Sequence, residues 1–510
     1  MNDFPGHRGR SLPRNDKSTL KCYNISVKTH PPEDITNPFD RNLSGTFLAL
    51  DPILFENKIS AALVPVAGVR KTGFPVMSAG KSGTHTAGRV SLPYVRFENN
   101  QYRMWYTAAD GRFLKYKAGE LYKYQNSYEG MWLCCAESSD GLKWVQPELG
   151  LCEFNGSREN NILGKGGCGS FLFDPVEPDK KRRYKCVFDW FAPGIPFSVY
   201  TGTSSDGIRW NYDFTRHEHE AMECPNLFRR GKEICVMTQV FDPLAGTPDP
   251  DIRTRRVNAL FVSRDFKKWR RNPGIAFQLP RQDVRRPGNG VQCHMGPAVY
   301  PAGSFGIGIY GKWQAAVSSK PEDVRTTLGL CLTDDGKHFF EPFQNFDLLG
   351  LPEDRQAWDG HMLIQPAGTS LIETDKEWLV YYTGSRGGNV WNAETGIGLA
   401  GWRRQGFAYW TTMHTASPAR LETRGFLLPK EVAEMTVNAS VSRESRLEIK
   451  LDCGRTFFDG AVKTGDAVRN QISWTKPVPW KALAGRKVQL FFKITGEPDS
   501  VKLYGWTFPA

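Results

Sequence analysis

The sequence is poor in whatever would mark a membrane, a secretory leader or a metal cage. None of its eleven cysteines falls in a C-x-x-C or another zinc spacing, which argues against a structural zinc site. The odd count without a framework argues against disulfides as well. Cys134 and Cys135 are adjacent, so on a strand they face opposite sides and do not bridge one another. No apolar core follows the opening MNDFPGHRGRSLPRND, and the longest apolar-leaning runs, such as 60–69, are too short to span a bilayer. These absences predict an intracellular, cytoplasmic chain with free thiols and no membrane partner.

What is present points to β-structure. The 510 residues exceed what one compact core usually serves, so two or three domains are expected. Aromatics make up 12 %, with 15 tryptophans, and 50 glycines and 33 prolines favour short strands and many turns over helices. The net charge of +12 is spread along the chain, densest at 180–183, 253–256, 267–271 and Arg285-Arg286. It matches no nucleic-acid motif, so no nucleic-acid partner is expected; an acidic sugar would suit such patches.

A repeat organises the middle of the chain. Ser138-Ser139-Asp140-Gly141-Leu142-Lys143-Trp144 returns as Ser204-Ser205-Asp206-Gly207-Ile208-Arg209-Trp210. It returns more loosely as Ser263-Arg264-Asp265-Phe266-Lys267-Lys268-Trp269, as Thr333-Asp334-Asp335-Gly336-Lys337-His338-Phe339, and in degenerate form at 400–407. The copies are roughly 60–70 residues apart. Asp-Gly closes a tight turn, and the aromatic that follows plugs the sheet beneath it. Before each turn runs an aromatic, β-branched stretch: 102–107, 184–188, 234–237, 307–310 and 378–383. Such stretches read as strands buried on both faces. Five units of about four strands describe a five-bladed β-propeller over 86–412. Residues 1–85, rich in Pro, Gly and charge with apolar stretches at 47–55 and 61–69, are expected to form a partly irregular extension. Alternating strands at 435–441, 447–451, 468–474, 488–494 and 501–508 predict a small β-sandwich over 413–510, making the fold all-β.

In a propeller the innermost strands line a central funnel, and their starts converge there. The expected starts are Arg89-Val90-Ser91, Phe173-Asp174-Pro175, Met222-Glu223-Cys224-Pro225, Cys293-His294-Met295 and Trp358-Asp359-Gly360-His361. Three carboxylates, Glu223, Asp174 and Asp359, thereby become catalytic candidates. Glycoside cleavage needs an acid for the leaving oxygen and a second carboxylate as base or nucleophile. Arg89, His294, His361 and Trp391 are candidates for binding substrate, with Trp105, Tyr106, Trp190 and Trp313 as further stacking platforms. His217 and His219 would share a strand side with Glu223, yet alternate with Glu218 and Glu220, which a charged strand explains; no metal and no cofactor are expected.

Met222-Glu223-Cys224-Pro225-Asn226-Leu227-Phe228 resembles the Glu-Cys-Pro segment of the five-bladed propeller glycoside hydrolases, families 32 and 43 and their relatives (invertases, fructanases, arabinanases, xylosidases). Phe173-Asp174-Pro175 is similar to their Arg-Asp-Pro segment, with phenylalanine in place of arginine. The resemblance implies a general acid/base role for Glu223 and transition-state support from Asp174, on a carbohydrate substrate. It also implies an aspartate at the start of the first blade, where Val90-Ser91-Leu92-Pro93 has none. The expected function is therefore a glycoside hydrolase-like enzyme. The alternatives are a propeller glycoside phosphorylase using Arg89, Arg285 and Arg286 for phosphate, or a non-catalytic carbohydrate-binding propeller.

Overall fold

The computed structural model describes residues 45–111, 130–192, 195–215, 223–241, 256–279, 290–303, 305–315, 324–387 and 394–509. Their regular secondary structure is nearly all strand; the helical elements among them are the short turn Lys180–Arg182 and the four-residue helix Trp480–Leu483. No helix among the described residues is long and apolar enough to cross a membrane.

Three antiparallel four-stranded sheets follow one another in chain order. The first holds Arg89–Glu98, Gln101–Ala109, Met131–Ser138 and Ile162–Lys165. Gly167–Phe173, Tyr184–Ala192, Ile195–Ser204 and Trp210–Asp213 make the second. The third is Glu223–Arg230, Glu233–Phe241, Arg256–Ser263 and Arg270–Arg271. A nine-stranded sheet contains two further sets, joined by one parallel pairing of Thr326 with Met362. One set is Gly290–Ala302, Phe305–Ala315 and Arg325–Thr333; the other is built on Glu377–Arg386 and Glu394–Arg403. The second strand of each set is the aromatic run seen in the sequence, buried on both faces because a neighbouring sheet covers each side.

The repeated turn is built alike four times. In the first sheet Ser138 Oγ accepts from the Gly141 N–H at 2.9 Å, and Asp140 Oδ1 accepts from the N–H groups of Leu142 and Lys143 at 2.8 Å each. In the second, Ser204 and Asp206 repeat these bonds at 2.9, 2.8 and 2.8 Å. Gly141 and Gly207 have φ of 72° and 74°, a left-handed conformation glycine adopts freely. Each turn is held by the sheet before it. Trp105 Nε1 donates to the Gly207 carbonyl at 2.7 Å, Arg182 Nη2 to that of Asp265 at 2.8 Å, and Arg230 Nε to that of Asp335 at 2.6 Å. Tyr381, in the last set, donates to the carbonyl of Gly141 in the first at 2.7 Å. Trp105 and Tyr106, fully buried, and Trp190, 4 % exposed, are therefore packing residues rather than stacking platforms.

The leading strand of each of the first four sets carries a bulge soon after it begins: between Ser91 and Tyr94, Gly167 and Ser170, Glu223 and Asn226, and His294 and Ala298. The freed backbone groups enter one buried polar knot. Asn226 accepts from Ser170 Oγ at 3.1 Å and from the Gly368 N–H, and donates to the Gly296 carbonyl, which Gln365 Nε2 also reaches at 3.1 Å. Four strand sets thus meet at Asn226, closing the space between them.

The remaining strands form a twelve-stranded, nearly closed, barrel-like sheet around its own core. Here the structure differs from the extension expected over 1–85. Thr46–Leu48, Phe55–Ile59 and Ala61–Pro65 are strands of this sheet, while Val69–Arg70 and Met77–Ser78 edge the nine-stranded one. The two ends of the twelve-stranded path, Phe55–Ile59 and Ala61–Pro65, are separated in sequence by Ser60 alone. Short strands and prolines disguise this segment, because its pairing partners lie hundreds of residues away.

Candidate functional site at the leading end of the sheets

The leading strands all start at one end of their sheets, and the second strands finish there. Pairing sets the levels: Ser91 lies opposite Thr107, Gly167 opposite Asp189, Glu223 opposite Gln239, and His294 opposite Gly311. Second-strand side chains at this level reach across to the next sheet. Thr107 Oγ1 accepts from the Gly169 N–H at 3.2 Å, and Gln239 Oε1 from the Met295 N–H at 3.1 Å. Thr383 Oγ1 in the last set accepts from the Leu92 N–H at 2.8 Å.

Glu223 is the first residue of its strand and immediately precedes the bulge, as the sequence predicts for a strand start. His294 holds the matching position in its own strand. Arg89 begins the first leading strand and is buried, and His361 immediately precedes Met362–Ile364. Trp391, Arg285, Arg286, His217 and His219 lie outside the described residues.

Asp174 is elsewhere. The apolar stretch of its sheet precedes it, so it follows the leading strand Gly167–Phe173 rather than opening it, and closes the hairpin at the trailing end. A seven-residue strand separates it from the leading end by roughly 20 Å. There it is 1 % exposed, 2.8 Å from Arg229 Nη1 and 3.2 Å from Lys185 Nζ, with Glu177 2.9 Å from the same lysine. Asp359 is also displaced from the expected funnel. Its Oδ2 accepts from Arg70 Nε at 2.6 Å and from the Tyr382 hydroxyl at 2.8 Å. Arg70 sits on the edge strand, outside Glu394–Arg403, so this carboxylate ties the outer part of its sheet together. Trp358 stacks on Tyr382 beside it, 5.9 Å between ring centres.

Arg325 Nη1 donates to His361 Nε2 at 3.1 Å. Burial, reinforced by the Arg325 charge, holds its imidazole below the usual value, hence neutral.

Two carboxylates that the sequence motifs do not single out lie at the leading end. Asp110 directly follows Gln101–Ala109 and is 3 % exposed; its Oδ2 accepts from Trp132 Nε1 at 3.3 Å. Asp189, fully buried, lies in Tyr184–Ala192 opposite Gly167. Glycines make room for both: a Cβ on Gly130 would stand 2.7 Å from Asp110 Oδ1, and one on Gly167 would stand 2.7 Å from Asp189 Oδ1. The Gly167 position also faces the Met131 side chain at 3.1 Å, so Gly130-Met131 runs between the two acids. The signal available in the sequence is a charge inside an apolar run, Val187-Phe188-Asp189-Trp190, which burial makes anomalous. No group of three or more metal-ligating side chains occurs among the described residues.

No family model matches this chain, and no curated protein does. Solved structures do. BT0996, in a complex with RGII, is 16 % identical, over 65 % of this chain and 92 % of that one, with a TM-score of 0.43. An N-acetylgalactosamine deacetylase from F. plautii, in complex with blood group B trisaccharide, is 15 % identical over 67 % and 95 %, with a TM-score of 0.42. A family 43 arabinoxylan arabinofuranohydrolase from Bacillus subtilis, in complex with cellotetraose, is 10 % identical over 85 % and 99 %, with a TM-score of 0.36.

Proposed function

We propose that the chain is a glycosidase built on a five-bladed β-propeller, with its active site at the leading end. The blade count is supported by five strand sets, the turn of each of the first four held by the set before it. The observation that carries the functional reading is the pair of buried aspartates, Asp110 and Asp189, at the end where Glu223 begins its strand.

In this reading Glu223 protonates the glycosidic oxygen, and Asp110 acts as base or nucleophile, the part for which the first leading strand offers no aspartate. Asp189 has a third part. Its level matches that of Thr107, Gln239 and Thr383, each of which reaches the bulge of the following sheet. By the same pattern Asp189 faces the Glu223-Cys224 bulge. Placed there, Asp189 serves the acid by positioning the start of its strand. Asp174 and Asp359 drop out of the catalytic set and serve as buried ion-pair anchors.

The test is release of reducing sugar from a broad panel of glycosides, with and without phosphate, by wild type, Glu223→Gln, Asp110→Asn and Asp189→Asn. Each substitution is expected to lower turnover of an accepted glycoside roughly a hundredfold or more, while Asp174→Asn changes stability instead. Turnover indifferent to both Glu223 and Asp110 refutes the assignment. Turnover that requires phosphate converts it to a phosphorylase.

A further inference from the structure

His85 stands in the segment leading to Arg89 and differs from His361 in one respect. It is 7 % exposed and packs edge-on against Phe154, 5.7 Å between ring centres. Its Nε2 lies 2.6 Å from Asn161 Oδ1. The amide orientation follows from its other bonds, because Asn161 Nδ2 donates to the Tyr106 hydroxyl at 2.8 Å and to the Cys135 carbonyl at 2.6 Å. With both amide protons committed, the oxygen must be the atom facing His85. An amide oxygen only accepts, so Nε2 carries the ring proton.

Nδ1 is then the nitrogen with the lone pair, and it has no hydrogen-bond partner among the described residues. Burial pushes the imidazole below its ordinary value, while the Asn161 bond and the Asp110 charge pull the other way. The ring is neutral at pH 7. A histidine kept only for packing would not need buried Asn161 and Tyr106 to select its tautomer, and at His361 the ring lone pair accepts from Arg325 Nη1.

We infer that His85 is a ligand-binding residue of the leading-end site, presenting Nδ1 as a fixed acceptor to a hydroxyl of the bound sugar beside Asp110. This rests on the carbohydrate reading above and assigns the residue on the first sheet's side that selects which hydroxyl is read. Its direct contacts are Asn161 and Phe154, and Asp110 is the charge acting on it.

The test uses the full chain with its histidines labelled with nitrogen-15, the His85 ring signals being those lost in His85→Phe. In wild type at pH 7 they are expected to show a protonated Nε2 and an unprotonated Nδ1. Neutral oligosaccharides from plant cell walls and animal glycans are then added singly, and affinity is measured by calorimetry. A bound sugar should move the Nδ1 signal, and His85→Phe should weaken it roughly three- to tenfold, as loss of one hydrogen bond does. Asn161→Asp, which favours the imidazolium, should make affinity rise with pH between 6 and 8 more steeply than in wild type. A sugar that binds wild type while leaving the His85 signals and the His85→Phe affinity unchanged overturns this inference and leaves the glycosidase reading standing. A proton found on Nδ1 also overturns it. Failure of every sugar to bind wild type removes both.

Discussion

Asp359 can be read as a catalytic acid from its sequence neighbourhood or as a clamp from its contacts, and one set of substitutions separates the two. The clamp joins Asp359 to Arg70 at 2.6 Å and to the Tyr382 hydroxyl at 2.8 Å, with the carboxylate side chain 2 % and the guanidinium 23 % exposed. Asp359→Ala leaves a mostly buried cation and a buried phenol without this partner. Breaking such a pair from one side costs about 3–5 kcal/mol. Partial exposure of Arg70 puts the expected loss near the lower end, about 3 kcal/mol. Arg70→Ala should cost a similar amount, and the double variant should cost far less than the sum. A coupling of about 2 kcal/mol is expected from urea unfolding of the four proteins.

The loss should also be local. Arg70 lies on the edge strand, next to which the amides of Lys71 and Val76 donate inward to the carbonyls of Leu399 and Ile397, both at 2.8 Å. Releasing the clamp lets this edge open, so in Asp359→Ala those two amides should exchange about a hundredfold faster, by the arithmetic of 1.4 kcal/mol per tenfold. Amides in Thr436–Val441, on the separate barrel-like sheet, should change little. Hydrogen exchange read by mass spectrometry resolves the two regions. Unchanged exchange at 71 and 76, together with lost turnover and intact stability, refutes the clamp and restores Asp359 to the catalytic set.

Asn226→Ala removes the side chain joining Ser170, Gly296 and Gly368 and leaves their buried polar groups unmatched, so a loss of about 3 kcal/mol is expected in urea; a loss below about 1 kcal/mol would mean that the knot is not what closes the space. Gly167→Ala places a methyl 2.7 Å from Asp189 Oδ1 and moves that carboxylate without removing it; turnover should fall roughly tenfold to a hundredfold, and full activity would exclude Asp189 from the site. Acid should weaken the fold through the repeated turns: burial pushes the carboxyls of Asp140, Asp206 and Asp335 up, the N–H bonds they accept outweigh it, and for Asp265 the N–H of Lys268 is the largest influence, so all four titrate below the ordinary value. Their contribution is complete above the unfolded carboxylate pKa, about 3.9, and disappears as pH falls below it. Urea midpoints between pH 6 and 2.5 should therefore drop mainly below about pH 4, and the quadruple Asp→Asn variant should lack that part of the drop.

Much of the fold was legible because its information is local. Ser138, Asp140 and Gly141 close their turn with bonds spanning two or three residues, so the motif announces itself wherever it recurs. The strands at 446–452 and 487–495 alternate buried and more exposed positions, a pattern that survives in one dimension. Thr46–Leu48 carries no such mark: its three residues pair with Val501–Thr507, and nothing local specifies a partner so distant. The site was legible only in part for the same reason. Glu223 starts a strand and carries a motif, whereas Asp110 and Asp189 end or interrupt strands, and their level is set by pairing. Asp174 misled because F-D-P reads equally as the start or the close of a strand, and only the apolar stretch before it decides.

The two ends of the sheets divide the work of the molecule. At the trailing end, carboxylates are consumed by structure: Asp140, Asp206, Asp265 and Asp335 accept backbone N–H groups, and Asp174 and Glu177 share Lys185. Each is matched by partners that fix its charge and its position, which suits stability and leaves nothing to react. At the leading end Gly130 and Gly167 let the carboxylates of Asp110 and Asp189 pack against bare backbone, where a Cβ would stand 2.7 Å from an Oδ1. Alanine at either position would displace the carboxylate, and at Gly130, with φ of 88°, it would strain the backbone as well. Burying two carboxylates is costly, and such a cost is expected where a protein must hold something other than its own side chains. Under the proposed function, the leading end is the working face on the strength of Asp110 and Asp189 as well as of the Glu223 motif.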